Sequence, residues 1–329
     1  MSEHQGLNAS PSEWPKALFY TALLFSTYQI ITAAFHPVSS QVLRAGHVGF
    51  LLLMVFLCYP ARGTGRPWQP LAWLLGLAGM ATFAYQWVFE GDLIQRSGDL
   101  TTLDMIIGIG LTLLIFEAAR RVMGIALPLI CGLFLLYGLF GEYLPGDLAH
   151  RGYGFDQIIN QLAFGTEGFY GTPTYVSATY IFLFILFGAF LEQAGMIKLF
   201  TDFAMGLFGH KLGGPAKVSV ASSALMGTIT GSGVANVVTT GQFTIPLMKR
   251  FGYRPAFAGA VEATSSMGSQ IMPPVMGAVA FIMAETINVP YVEVAKAALI
   301  PALLYFGSVF WMVHLAVSYT HLTLPTICS

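Results

Sequence analysis

Residues Val218–Met248, VSVASSALMGTITGSGVANVVTTGQFTIPLM, decide how the rest of the chain is interpreted, because this long apolar stretch contains no charged residue. Basic residues lie at both of its ends, with Lys211 and Lys217 before it and Lys249, Arg250 and Arg254 after it. Since Lys and Arg collect on the cytoplasmic side of membrane proteins, both ends of the stretch are expected on that side.

The middle of the same stretch, Thr230-Gly231-Ser232-Gly233, interrupts the helical pattern. Each arm beside the interruption has about 13 to 15 residues, or about 20 Å of helix, which is too short for a hydrocarbon core of about 30 Å. We therefore predict a re-entrant helical hairpin over residues 218–248, with its tip near the membrane midplane. Its irregular backbone must be buried in protein or line a watery cavity, because lipid offers no hydrogen-bonding partners.

The composition of the whole chain also indicates a membrane protein. Of its 329 residues, 55% are hydrophobic and only 9% are charged, with a net charge of −1, whereas a soluble domain has about 25% charged residues. These values exclude a disordered chain, a secreted disulfide scaffold and a basic nucleic-acid-binding protein. No cysteine pair has metal-ligand spacing and no glycine-rich nucleotide loop is present, so we expect neither a resident cofactor nor an enzyme.

Further apolar runs predict an all-α polytopic membrane protein with about eight spanning helices besides the hairpin. The predicted spans are Ala17–Phe35, Gly46–Tyr59, Pro70–Phe89, Leu103–Met123, Gly124–Gly141, Thr172–Leu191, Pro255–Ala284 and Ala297–Val317. A cytoplasmic N-terminus puts most basic residues inside, namely Lys16, Arg62, Arg66, Arg120, Arg121, Lys198 and those flanking the hairpin. The opposite orientation reverses this bias, so a cytoplasmic N-terminus is predicted.

The span Pro255–Ala284 carries a second interruption. It contains a run of polar residues and then Pro273-Pro274, which removes two backbone donors and disfavours helix at the preceding residue. We predict two half-helices, with the second starting near Pro274. Two interrupted helices near the midplane indicate the binding site of a transporter.

These interruptions bring together groups that suit an anion and a small cation. The N-terminus of a half-helix presents free N–H groups and a partial positive charge, which favour a carboxylate. Unwound carbonyls and hydroxyls favour Na⁺ as a coupling ion, here at Gly231, Ser232, Gly233, Thr264 and Ser265. The full set of candidate substrate-binding and ion-binding residues is Thr230, Gly231, Ser232, Gly233, Asn236, Glu262, Thr264, Ser265, Ser266, Gly268, Ser269, Pro273 and Pro274.

Structural roles are alternatives for each of these residues. Ser and Thr in membrane helices often bond only to the carbonyl four residues earlier, and glycines often only allow close helix packing. An acidic side chain inside a span is by default functional, with a salt bridge or a polar contact at a helix–helix interface as the alternatives for Glu262.

Several motifs resemble one family of membrane transporters. Leu225–Asn236 (LMGTITGSGVAN) and Met267–Pro274 (MGSQIMPP) are similar to the first hairpin and the Pro-Pro segment of the large membrane subunit of TRAP (tripartite ATP-independent periplasmic) transporters. Glu117–Gly124 resembles the end of the small subunit in the fused, 4TM/12TM form of these permeases. The resemblance covers roughly residues 15–317.

The resemblance implies a Na⁺-coupled secondary transporter of the bacterial inner membrane that imports carboxylates, such as C4-dicarboxylates, by an elevator movement. It implies a periplasmic substrate-binding protein as partner, often of the TAXI type in the fused form. It divides the chain into a leader (1–14), a four-helix small-subunit-like region (15–123), and the first half of the large-subunit region (124–317). Because the family has two hairpin repeats, we expect a truncated product, in which residues 318–329 do not continue the family pattern.

Two other functions fit the same residues less well. An intramembrane serine hydrolase would use Ser232 as nucleophile and needs a base, for which His314 is the only deep histidine. An ion channel would use the same polar tip without coupling to Na⁺.

Overall fold

The computed structural model describes residues 16–59 and 69–322, and every regular element in these ranges is helical. The predicted leader (1–14), Arg62, Arg66 and the last residues of the predicted tail lie outside them. The helices are α1 (Lys16–Phe35), α2 (Ser40–Cys58), α3 (Gln69–Val88), α4 (Glu90–Gln95), α5 (Thr102–Met123), α6 (Ala126–Phe140), α7 (Phe155–Ala163), α8 (Thr172–Val176), α9 (Phe182–Gln193), α10 (Met196–Phe208), α11 (Gly214–Thr230), α12 (Gly233–Arg250), α13 (Pro255–Met267), α14 (Ala278–Thr286) and α15 (Tyr291–Leu322).

Among the described residues, seven helices are long and apolar enough to cross a membrane. They are Lys16–Phe35, Ser40–Cys58, Pro70–Val88, Thr102–Met123, Ala126–Tyr143, Thr172–Gln193 and Tyr291–Val317. The chain is thus a multi-pass membrane protein. The all-α polytopic architecture is confirmed. The interrupted span Pro255–Ala284 is not among the seven, because its predicted break leaves two pieces that are each shorter than a spanning helix.

Helix α2 begins six residues before the predicted span Gly46–Tyr59. The hydroxyl of Ser39 caps it by accepting from the amide N of Val42 at 3.2 Å. The charged side chain of Arg44 is accommodated in its second turn, because the guanidinium donates to the Tyr170 carbonyl at 2.6 Å. Polar residues with partners of this kind extend a helix beyond its purely apolar run.

The chain divides into two compact units at Thr179/Tyr180. The first unit has a core between α2, α3 and α5, in which Phe56 and Leu111 are almost fully buried. Helix α5 also contacts α7, and α2 contacts α8, so residues after Gly124 remain in this unit. The end of the small-subunit-like region at residue 123 stays a prediction.

The second unit is built around α11 and α12, which form the expected helical hairpin. The two helices are antiparallel neighbours: Ser223 lies opposite Thr240, with the hydroxyl oxygens 3.4 Å apart. Only Gly231 and Ser232 interrupt the helical backbone between them. The hairpin is confirmed as a structure, and the side of the membrane from which it enters stays a prediction.

The helix after the hairpin is broken as predicted, but its second half starts later. Helix α13 ends at Met267 and continues as a 3₁₀ turn over Gly268–Gln270. An irregular loop follows, and α14 begins only at Ala278, four residues beyond the predicted start at Pro274. The reason is that Met276 has a φ of +55°, outside the helical region, so the helix cannot start before it.

Candidate functional site

The tip of the hairpin faces a cavity of about 960 Å³ within the second unit. At the tip, the carbonyl end of α11 meets the amide end of α12 across two residues. The polar side chains that line the cavity are Ser232, Gln270 and Glu293, and its other walls are mainly apolar residues of α14 and α15. The carboxylate of Glu293 is paired with Lys296 at 2.8 Å. Such a cavity combines apolar walls with a few polar groups near exposed helix ends.

Gly231 lies between α11 and α12 at the tip of the hairpin. Its φ is +58°, a conformation that glycine adopts without strain. A Cβ atom at this position would overlap the backbone carbonyl oxygen of Met276 in the irregular loop before α14. The hairpin tip and this loop therefore approach each other closely through backbone atoms, with the Val275 side chain beside them.

Ser232 is the residue immediately before α12 and is exposed to the cavity. Its hydroxyl caps the helix by accepting from the amide N of Ala235 at 3.3 Å. The next residue, Gly233, lies so close to α13 that a Cβ would come within 3.0 Å of the Met267 Cα. The residues of α13 nearest the tip are thus Ser266 and Met267, which lie two positions further along the chain than the predicted Thr264 and Ser265.

Glu262 lies at the meeting point of three helices and is fully buried. Five hydroxyl groups lie within hydrogen-bond distance of its carboxyl group. Oε1 accepts from Ser223 at 3.3 Å, Ser266 at 3.0 Å and Thr240, and Oε2 accepts from Ser219 at 2.7 Å and Thr244. No ion-pair partner of Glu262 is found in the described part of the chain. Hydroxyl groups alone compensate the cost of burying this carboxyl group.

Asn236 connects this cluster to the 3₁₀ turn after α13. Its amide donates to the Ser223 carbonyl at 2.9 Å and to the Ser269 hydroxyl. Its side-chain oxygen is within 3.2 Å of the Thr240 hydroxyl, which also contacts Glu262. Glu262, Thr240, Asn236 and Ser269 form one chain of polar contacts from the helix crossing to the wall of the cavity, in which the single Thr240 proton has Glu262 and the two Asn236 oxygens as alternative acceptors.

Other predicted site residues have local structural contacts. Thr230 and Ser265 donate to carbonyls four residues earlier, Met226 at 3.2 Å and Val261 at 2.7 Å. The side chain of Thr264 is exposed, and the Tyr305 hydroxyl donates to its carbonyl at 2.6 Å.

Gly268 and the two prolines also have structural surroundings. Gly268 packs against the rings of Tyr305 and Phe306. Pro273 and Pro274 lie in the loop before α14. The backbone carbonyl oxygens of Pro274 and Val275 lie 2.7 and 2.6 Å from the Tyr291 hydroxyl, which donates to them.

Four of the five hydroxyls around Glu262 were not identified from the sequence. They come as pairs four residues apart, Ser219 with Ser223 on α11 and Thr240 with Thr244 on α12, and Glu262 with Ser266 repeats this spacing on α13. Residues four apart share one face of a helix. This repeated spacing was the sequence signal for the four hydroxyls. Tyr291, whose hydroxyl contacts the loop before α14, has no such spacing that would have identified it.

The arrangement does not support a serine hydrolase built on Ser232. His314 contacts the amine of Lys217 at 3.1 Å, near the start of α11, whereas Ser232 follows the other end of that helix. Fifteen residues separate Lys217 from Ser232, which corresponds to about 22 Å along a helix. His314 therefore cannot act as the base for Ser232.

The chain is similar to known membrane transporters. The sequence model of the family described as "Tripartite ATP-independent periplasmic transporter, DctM component" matches residues 111–325. The match includes both interrupted helices and extends into the segment 318–329 that we expected not to continue the family pattern.

Three curated proteins illustrate the similarity. The C4-dicarboxylate TRAP transporter large permease protein DctM of Rhodobacter capsulatus is 34% identical over 103 residues, 31% of this chain and 23% of that protein. The sialic acid TRAP transporter large permease protein SiaM of Vibrio cholerae is 30% identical over 121 residues, 37% and 28% of the two chains. The 2,3-diketo-L-gulonate TRAP transporter large permease protein YiaN of Escherichia coli is 27% identical over 115 residues, 35% and 27%.

The chain spans under a third of the length of each of these three relatives. No solved structure matches it.

Proposed function

Because the chain belongs to the DctM family of tripartite ATP-independent periplasmic transporters, we propose that it acts in a secondary transporter that imports carboxylates across the bacterial inner membrane. The family consists of transporter permeases and not enzymes. A periplasmic substrate-binding protein, of the TAXI type if the fused form applies, would deliver the substrate. The observation that carries this proposal is the hairpin tip, where two helix ends meet at a cavity lined by Ser232 and Gln270.

The substrate class follows from the relatives and from the chemistry of the tip. C4-dicarboxylates, sialic acid and 2,3-diketo-L-gulonate, named for three relatives, are all carboxylates. No Lys or Arg is among the described residues that line the cavity. A carboxylate would therefore be held by the first amides of α12 and by the side chains of Ser232 and Gln270.

We further propose Na⁺ as the coupling ion. Carbonyls at the end of α11, near Gly231, and the hydroxyl of Ser232 offer the oxygen ligands that a hard cation prefers. The carbonyl oxygen of Ser266 lies beside Gly233 and could complete the site on the α13 side, where sequence reasoning chose Thr264 and Ser265.

Uptake measurements test the proposal. Proteoliposomes containing the chain joined to the second hairpin repeat of a homologous permease, together with the binding protein, should accumulate labelled succinate when an inward Na⁺ gradient is imposed and not when K⁺ replaces Na⁺. Accumulation without any cation gradient would contradict coupled transport, and electrical currents without Na⁺ coupling would support a channel instead.

Ser232→Ala is expected to weaken the dependence of uptake on Na⁺. The change removes one oxygen from the proposed site, so we expect the Na⁺ concentration for half-maximal uptake to rise about five- to tenfold. Ser308→Ala is the matched control, because that exposed hydroxyl donates only to the Tyr305 carbonyl in its own helix, at 2.8 Å. Unchanged Na⁺ dependence in Ser232→Ala would leave this hydroxyl with a helix-capping role alone.

The side from which the hairpin enters can be tested by cysteine labelling. Lys217 is a poor position because its side chain is buried against His314, but Lys211 and Lys249 are exposed near the outer ends of the two arms. Lys211→Cys and Lys249→Cys, made singly, should both react with a membrane-impermeant maleimide only from the cytoplasmic side. Reaction of the two from opposite sides would show that the segment crosses the membrane.

A further inference from the structure

Glu262 is the most heavily hydrogen-bonded side chain of the second unit, and its partners come from different helices. Ser219 and Ser223 belong to α11, Thr240 and Thr244 to α12, and Ser266 to Glu262's own helix, α13. One carboxyl group thus joins both arms of the hairpin to the broken helix.

The cluster is too closely packed to hold a metal ion between its members. Ser219 Oγ lies 2.7 Å from Oε2, and Ser266 Oγ lies 3.0 Å from Oε1, which are distances of direct hydrogen bonds. A cation between the carboxyl group and these hydroxyls would have to separate the pairs. Glu262 therefore fits a role in holding the helices rather than a role as a ligand of Na⁺.

The cluster also has a defined route to the cavity. The Thr240 hydroxyl lies between Glu262 and Asn236. It contacts Glu262 Oε1 and lies 2.8 Å from the Asn236 carbonyl oxygen and 3.2 Å from the Asn236 side-chain oxygen. The Asn236 amide in turn donates to Ser269 in the turn Gly268–Gln270. The last residue of this turn, Gln270, lines the cavity.

Close backbone packing makes the turn depend on its position against α11. A Cβ at Gly227 would come within 2.9 Å of the Ser269 Cα, so the turn rests directly on the hairpin. A small displacement of α11 or α12 relative to α13 must therefore move the turn.

We propose that Glu262 is a positioning residue: through hydrogen bonds and not through its charge, it fixes the hairpin on α13 and, by way of Thr240, Asn236 and Ser269, places Gln270 in the wall of the cavity. The importance of this position for transport rests on the proposed function, in which the cavity receives the substrate. The positioning itself can be measured without any substrate.

The experiment places a nitroxide spin label at Gln270→Cys, after replacement of Cys58, Cys131 and Cys328, in the full chain in detergent micelles. Its mobility and its accessibility to a water-soluble paramagnetic reagent are compared between the parent and the variants. A label at Val279→Cys, on the α14 wall of the same cavity, reports whether the fold as a whole is loosened.

Glu262→Ala should increase the accessibility of the label at position 270 about tenfold and leave the label at position 279 within about twofold of the parent. Glu262→Gln should restore most of the parent behaviour, because its amide keeps one acceptor and can donate to hydroxyls such as Thr244, which has an alternative acceptor in the Thr240 carbonyl at 3.1 Å. Glu192→Gln, an exposed residue of α9, is the control for loss of charge.

Thr240→Val tests the same route if Glu262→Ala does not fold. It preserves the shape of the side chain and removes the link between Glu262 and Asn236, so the label at 270 should again be released. Thr239→Val is its neighbour control, because the Thr239 hydroxyl bonds only to the Ala235 and Asn236 carbonyls of its own helix.

Three outcomes would overturn the proposal: an unchanged label at 270 in both Glu262→Ala and Thr240→Val, equal release at 270 and 279, or Glu262→Gln behaving like Glu262→Ala. Since no ligand takes part, these outcomes would leave the proposed transport function untouched. A failure of succinate uptake would equally leave the positioning result standing.

Discussion

Gly231→Ala is expected to lower the free energy of unfolding of the chain in micelles by about 3 kcal/mol. Two effects add at this residue. The φ of +58° is strained for any residue with a Cβ, at a cost of about 1 kcal/mol, and the new methyl group would overlap the Met276 carbonyl oxygen. Because that oxygen belongs to the backbone, relief requires the hairpin tip to separate from the loop before α14.

Gly252→Ala separates these two effects. Gly252 has a φ of +84°, and within the described part of the chain no residue other than its two neighbours in sequence has an atom within 4 Å of the position its Cβ would occupy. It should therefore show the backbone cost of about 1 kcal/mol alone. Denaturant unfolding in micelles measures both variants, and equal losses for Gly231→Ala and Gly252→Ala would show that the tip does not rest on the loop.

Asn236→Ala should lower the free energy of unfolding by about 2 to 3 kcal/mol. The side chain is fully buried, and its amide is a donor to the Ser223 carbonyl at 2.9 Å and to the Ser269 hydroxyl. Removing it takes the side-chain donor away from the buried Ser223 carbonyl and the Ser269 hydroxyl, and opens a small cavity between α12 and the turn Gly268–Gln270. Both consequences destabilise a packed helical interface.

Thr239→Ala is the comparison for this loss, since it shortens the adjacent side chain of α12. The Thr239 hydroxyl bonds to carbonyls of its own helix, and its removal should change the free energy of unfolding by less than about 0.5 kcal/mol. Losses of the same size in Asn236→Ala and Thr239→Ala would mean that the contact with Ser269 contributes no stability.

Several parts of the fold could be predicted from local sequence because their physical cause is local. The uncharged stretch 218–248 with a Gly-Ser-Gly centre gave the hairpin, since glycine accepts the left-handed φ that ends α11 and Ser232 caps α12. Apolar runs gave the spanning helices, because length and hydrophobicity are read directly from the chain. The double proline gave the break after α13.

Other features depended on contacts far apart in sequence. Helix α14 starts at Ala278 and not near Pro274 as predicted, because Tyr291 and the hairpin tip hold the loop between these two residues. Neither contact can be predicted from the two prolines. The thirteen candidate residues likewise separated into distinct groups. Gly231 and Ser232 line the cavity, Asn236, Glu262, Ser266 and Ser269 form the buried network, and Thr230 and Ser265 bond within their own helices.

The sequence by itself determined that this protein is a multi-pass helical membrane protein with two interrupted helices, because charge, hydropathy and helix-breaking residues act over a few turns of one helix. Only the tertiary structure decided which polar residues face one another. Ser219, Thr244 and Glu262 belong to three helices that each carry several polar residues, and the rotation of α11, α12 and α13 about their axes brings these three together. That rotation is set by the packing of all three helices at once, so no single helix contains the information.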